Sequence, residues 1–139
     1  MTAGGLVLTG CARGTASPAA DAADPDLALL EQAQVLSSRL LEDSSVRPGP
    51  GGLLAPVHQA HLAALAAAMT GVPTPSPTIS LPPARPLAWP ALRQRELTAQ
   101  RELAHLAVAA QSGAVASLLA SMSAGIAAGV AATTRARTP

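Results

Sequence analysis

Histidines and carboxylates are the residues of this chain whose types and spacing could do chemistry. His58 and His61 are three residues apart, which places both rings on one side of a helix. Glu96 falls inside the apolar stripe of a later helix, where a carboxylate is costly unless it is paired, protonated or bound to a metal. Glu102 and His105 have the Glu-x-x-His spacing that di-iron bundles use. These residues predict either a metal site or buried polar pairing.

A complete di-iron centre is disfavoured by helix geometry. Such a centre collects four carboxylates and two histidines from four helices. Glu96 lies about 120° round its helix from Glu102 and about 180° from His105, because each residue advances about 100°. The last helix supplies no carboxylate, and Glu31 and Glu42 lie away from the apolar stripe of the first helix. One site cannot easily gather these groups.

Two smaller arrangements remain open. His58, His61 and Glu96 are candidate ligands of a single metal ion, zinc or iron. Alternatively, Glu96 faces His58 or His61 across a helix interface as a buried hydrogen-bonded pair, while Glu102 and His105 form an ordinary surface pair. We expect the paired arrangement and no cofactor. The serines lie in Ala-rich helices without a nearby His-Asp arrangement, and no glycine-rich phosphate loop is present, so we also expect no catalytic residue and no enzyme activity.

Cys11, the single cysteine, closes the run Leu-Thr-Gly-Cys. This run resembles a bacterial lipobox, in which a signal peptidase cuts before a cysteine that carries a diacylglycerol group. The apolar stretch before Cys11 is short and no Arg or Lys precedes it, so the signal peptide is incomplete. We expect that the true start lies upstream of Met1, that 1–11 is a signal-peptide remnant and that the polar segment 12–24 is a flexible tether.

Composition limits the fold class. Of the 139 residues 49% are hydrophobic, yet Trp89 is the only aromatic residue, so the core must be aliphatic. Ala and Leu favour helices, and few β-branched or aromatic residues are present to build strands. The net charge is only +1 and the sequence has no basic cluster, so we do not expect this protein to bind nucleic acid. One cysteine excludes an internal disulfide framework.

Four helices are predicted between strong chain breakers. Asp24-Pro25 is a good helix start, the segment 47–52 is rich in Pro and Gly, and 73–90 holds seven prolines in eighteen residues. We expect Trp89 to pack as an anchor at the end of this Pro-rich connector. The predicted helices are about 25–44, 53–70, 90–111 and 114–134 within a bundle of residues 25–134, and 135–139 form a tail.

The last predicted helix is unusual because nothing from Ser112 to Thr134 is charged. Its length and small residues suit a membrane-spanning helix. They equally suit the central helix of a soluble bundle, buried nearly all round, which is the interpretation we prefer. One row of this helix is small and could bring a protein partner or a second copy close: Ser117, Ser121, Gly125 and Gly129.

Three segments together resemble a known group of proteins. They begin at His58 (His-Gln-Ala-His-Leu-Ala-Ala-Leu), at Leu92 (Leu-Arg-Gln-Arg-Glu) and at Ser112 (Ser-Gly-Ala-Val-Ala-Ser-Leu-Leu-Ala-Ser-Met). The sequence is similar to small ferritin-like lipoproteins and exported proteins of actinobacteria over about 27–132. In that group the last helix continues into Glu-x-x-His, where this chain has Ile126-Ala-Ala-Gly129. The missing polar residues put a metal site of the group in doubt.

The resemblance and the residues together predict an all-α, ferritin-like four-helix bundle with a Pro-rich connector between helices two and three. We expect a protein tied by lipidated Cys11 to the outer face of the cytoplasmic membrane, in the cell envelope, with a structural or interaction role. A metal-binding ferritin-like protein and an integral membrane protein spanning through 114–134 are the alternatives.

Overall fold

The residues that the structure describes form four α-helices and one 3-10 helix, which pack around a single aliphatic core. The computed structural model describes residues 24–46, 49–70 and 87–136, and in these ranges it contains no strand. The helices are α1 (Pro25–Ser45), η1 (Gly49–Leu54, the 3-10 helix), α2 (Ala55–Ala68), α3 (Trp89–Ala109) and α4 (Gly113–Arg135). The predicted all-α class is therefore confirmed.

Local sequence accounts for the start of α1. Asp24 accepts a hydrogen bond from the backbone N–H of Asp26 at 2.9 Å, and Pro25 occupies the first helical position. An N-cap carboxylate followed by proline satisfies one free donor and removes another. The predicted start of the first helix is thus the observed one.

The segment after α1 differs from the sequence expectation. Gly49 has a positive φ of 82°, which glycine adopts without strain, and Gly49–Leu54 then winds as a 3-10 helix instead of a simple break. Leu54 at its end is fully buried, whereas the neighbouring Leu53 is 58% exposed. This short helix therefore contributes to the core.

The core is built from the predicted helix stripes. In α3 the residues Leu92, Ala99 and Leu103 are buried with Glu96 among them, and Trp89 packs against their edge. Leu106 of α3 is buried as well, and the other buried apolar residues come from α1, η1, α2 with its C-cap, and α4: Leu30, Ala33, Leu40, Leu54, Leu65, Met69, Leu119, Met122, Ile126 and Val130.

Contacts between side chains fix the directions of the helices. Asp26 and Asp43, at the two ends of α1, bond to the end and the beginning of the α3 segment, so α1 and α3 are antiparallel. α3 and α4 are antiparallel because a short turn joins them. Gly125 of α4 faces His61 and Gly129 faces Leu54, so α2 is antiparallel to α4 and runs the same way as α3. The end of α2 and the start of α3 consequently lie at opposite ends of the molecule.

Around the perimeter the order is α1, α2, α4 and α3, because each of these neighbours packs on the next and α3 closes on α1. α2 and α3 face each other across the core. Helix α4 does not have the expected all-round burial: only 28% of its most apolar 18-residue stretch is buried. The exposed side of α4 is lined by alanine and serine.

Candidate functional site

The three residues proposed as metal candidates do come together in the core. His58 and Glu96 are both fully buried, and the Nε2 atom of His58 lies 3.0 Å from Oε1 of Glu96. A carboxylate oxygen only accepts, so Nε2–H of His58 is the donor. This bond spans the core from α2 to α3, as the paired interpretation of the sequence expected.

His61 is the third member of this group, which we call the core polar cluster: His58, His61 and Glu96. Its ring lies edge-on to that of His58, with the centroids 5.9 Å apart and the planes at 71°. Burial, and then the charge of His58, lower the pKa of His61 from 6.5 to about 4. His61 is therefore neutral at pH 7.

The cluster is not fully hydrogen-bonded. Nδ1 of His58, Nδ1 of His61 and Oε2 of Glu96 are buried and have no partner among the described residues. Unpaired buried polar atoms reduce stability by the free energy of their lost hydration. In the described parts of the chain, no group of three or more His, Cys, Asp or Glu is placed to hold a metal ion. The geometry is that of a buried polar pair with a neutral histidine beside it.

Helix α4 approaches the cluster through glycine. A Cβ atom on Gly125 would lie 3.0 Å from Nε2 of His61, and one on Gly129 would lie 2.8 Å from Cδ2 of Leu54. Two members of the small-residue row therefore face α2 and η1 inside the fold. The other two members, Ser117 and Ser121, are exposed.

The second candidate pair is arranged differently from the sequence expectation. Oε1 of Glu102 accepts a hydrogen bond of 3.1 Å from Nε2 of Gln32 on α1, and His105 is exposed on α3. Glu102 also lines an open groove of about 320 Å³ between α1 and α3 with Val35, Leu36 and Arg39. Glu102 thus joins two helices on the surface.

Asp26 has a structural role that the sequence does not predict. Its Oδ1 and Oδ2 accept the backbone N–H groups of Gln111 and Ser112 at 2.8 and 2.7 Å, and the residue is 4% exposed. The carboxylate so holds the turn between α3 and α4. The residues are 85 and 86 positions apart along the chain, and no local pattern connects them.

Cys11 and the segment 1–23 lie outside the described residues, as do 71–86, which include most of the predicted Pro-rich connector. No family model, no curated protein and no solved structure matches this chain.

Proposed function

We propose that this chain is an exported helical protein held by a lipid on Cys11 at the outer face of the cytoplasmic membrane, with a structural or interaction role and no enzyme activity. The Leu-Thr-Gly-Cys run and the polar residues after it support the anchor. The observation that carries the interaction role is an exposed helical surface without charge.

This surface, which we call the uncharged side, belongs to α2 and α4. Neither helix contains Asp, Glu, Lys or Arg before Arg135. The exposed positions that form the uncharged side are almost all alanine, with two serines: Ala60, Ala63, Ala66, Ala67, Ala68, Ala114, Ser117, Ala120, Ser121, Ala124, Ala128, Ala131 and Ala132. Small side chains let another helix approach closely.

A second copy of the chain is the partner we propose for the uncharged side. Two copies can pair through it without bringing like charges together. Helices of 14 and 23 residues, about 10 Å wide, offer roughly 550 Å² of projected area per copy, which approaches the ~800 Å² per partner of a stable interface. A lipid surface is a poorer occupant, because interfacial helices use large apolar residues and basic flanks.

The ferritin-like topology is part of the proposal. α2 and α3 run in the same direction and are separated by the predicted Pro-rich connector. One long crossover connection is the arrangement of ferritin-like bundles. We do not propose the metal chemistry of such bundles for this chain, because within the core polar cluster Glu96 is hydrogen-bonded to His58. Metal analysis of untagged protein should find no zinc or iron; stoichiometric metal would contradict this part of the proposal.

Mass spectrometry of the native protein tests the anchor. We expect a mature chain that begins at Cys11 and carries diacylglycerol on its Sγ atom. An unmodified chain that begins at Met1 would overturn the proposal.

Disulfide trapping tests the proposed surface. In a Cys11→Ser background, Ser121→Cys places a thiol on the uncharged side and should give a covalent dimer under mild oxidation. Thr98→Cys, at an exposed position of α3, is the matched control and should stay monomeric. Equal trapping of both variants would contradict pairing through α2 and α4.

An integral membrane protein is the second candidate, favoured by one observation. α4 spans 23 residues, its most apolar 18-residue stretch has a mean hydropathy of 1.8, and the helix is long and apolar enough to cross a membrane. Carbonate extraction separates the two candidates. The Cys11→Ser variant should be released from membranes if the lipid is the anchor, and should resist extraction if α4 spans the bilayer.

A further inference from the structure

His61 of α2 packs against Gly125 of α4 where the two helices meet. His61 is 8% exposed, and a Cβ atom added to Gly125 would lie only 3.0 Å from its Nε2 atom. Val57, one turn earlier, lies against the same glycine. The imidazole therefore lies between the two helix backbones, and its Nδ1 atom is buried without a hydrogen-bond partner.

In the part of the chain that the structure describes, no carboxylate is hydrogen-bonded to His61. Within α2 the titratable neighbour is His58, and across the core Glu96 already accepts the hydrogen bond of His58. η1 has no ionisable side chain, and α4 has none before Arg135 at its far end.

α1 is the remaining neighbour of α2. Its acidic residues either are bonded to other groups or are exposed to solvent. Asp26 holds the turn between α3 and α4, and Asp43 is bonded by Arg95. Glu31, Arg39 and Glu42 are exposed to solvent. Among the described residues, none of these acidic side chains is hydrogen-bonded to His61, and the charge of His58 lowers the pKa of His61 further.

We propose that proton uptake by His61 separates α2 from α4, so that their contact is an acid-sensitive joint. Separation gives the imidazolium access to water and increases its distance from α4. It also uncovers the apolar residues that α2 and α4 bury against each other and the core, including Leu65, Met69 and Ile126. The joint is a property of the fold and does not depend on the lipid anchor.

The direction of the pH dependence follows from proton binding. The pKa of His61 is about 4 in the closed fold and 6.5 when the side chain is free, so the separated form binds more protons between these values. The closed contact has its full stability above about pH 6.5 and loses it as the pH falls toward 4. Opening at pH 4 should be favoured on the order of 100-fold over opening at pH 7.

Hydrogen exchange of the full wild-type chain, followed by mass spectrometry at pH 7 and pH 4.5, tests the joint. After correction for the intrinsic exchange rate at each pH, amides of α2 should lose protection at pH 4.5, while amides of α3 keep theirs. Equal loss of protection across all helices, or no loss in α2, would overturn the proposal.

A pair of matched variants assigns the effect to one imidazole. His61→Gln, which cannot take up the proton, should abolish most of the acid-dependent loss in α2. His105→Gln removes an exposed histidine of α3 and should behave as the wild type. If His61→Gln retains the full acid response, the joint is not titrated by His61, and the wild-type exchange pattern remains interpretable even if that variant folds poorly.

Discussion

The α1 and α3 helices differ from α2 and α4 in how they hold together. Ten charged side chains lie on α1 and α3, five on each, whereas α2 has none and α4 has only Arg135. Polar bonds join α1 to α3 and its turn, such as Arg95 with Asp43 and Gln32 with Glu102. Side chains of α2 and η1 pack directly against the α4 backbone at Gly125 and Gly129.

This difference shows that α1 and α3 are joined by specific hydrogen bonds, whereas α2 and α4 are joined by packing against small residues. The α1 and α3 helices are held together by directional hydrogen bonds, which define which helix ends meet. The contact between α2 and α4 depends on two glycines of α4, which leave room for side chains of α2 and η1. A new charge should therefore be tolerated on α1 or α3 and disruptive between α2 and α4.

The largest effect should come from breaking the bond across the core. Glu96→Ala leaves His58 buried without its acceptor, which should lower the free energy of unfolding by about 3–5 kcal/mol in urea titrations. Glu96→Gln keeps a hydrogen-bond acceptor and should cost less. If both variants lose equal stability, the bond to His58 is not what Glu96 contributes.

Leu54 tests whether the 3-10 helix belongs to the core. Leu54→Ala should lower the free energy of unfolding by about 3 kcal/mol, because a fully buried leucine is removed from contact with α4. Leu53→Ala, at the adjacent exposed position, should change it by less than about 0.5 kcal/mol. Similar losses from the two substitutions would place η1 outside the cooperative fold.

Substitution of Asp26 tests the contact between the start of α1 and the turn that joins α3 to α4. Asp26→Ala removes the acceptor of two backbone N–H groups and should cost about 2 kcal/mol, by thermal or chemical unfolding. Asp24→Ala, which removes only the N-cap of α1, should cost about 1 kcal/mol. The reverse order would show that the turn between α3 and α4 holds without Asp26.

The smallest changes in stability are expected from alanine substitution of two glycines of α4, Gly113 and Gly129. Gly113→Ala adds a methyl group where nothing lies within 4 Å, so it should stabilise the helix by about 0.5 kcal/mol. Gly129→Ala places Cβ 2.8 Å from Leu54 Cδ2, and we expect a net loss of about 1 kcal/mol despite the better helix propensity. A gain at both positions in thermal unfolding would mean that α2 and η1 do not need close approach.

Features that depend on local sequence were predictable. The start of α1 at Asp24 and Pro25 follows from capping chemistry, and the buried stripe of α3 with Glu96 follows from helical periodicity. The pairing of Glu96 with a histidine could be anticipated because a buried carboxylate needs a partner.

Features that depend on distant contacts were not predictable. The bond of Asp26 to the turn at Ser112 and that of Glu102 to Gln32 join residues far apart in the chain. The exposure of α4 could not be read from its composition, since the same uncharged alanine-rich residues suit a buried helix, a membrane span or an open surface. Only the positions of the other helices decide among these.

Sedimentation equilibrium of the Cys11→Ser chain tests the central claim that the uncharged side is where this protein meets its partner. Two matched substitutions place the same charge on the two sides: Ala124→Glu on α4 and Ala28→Glu on α1, both at exposed positions. We predict that the parent chain and Ala28→Glu are dimers and that Ala124→Glu is a monomer. A monomeric parent at every concentration, or a dimer that Ala124→Glu leaves intact, would contradict the account.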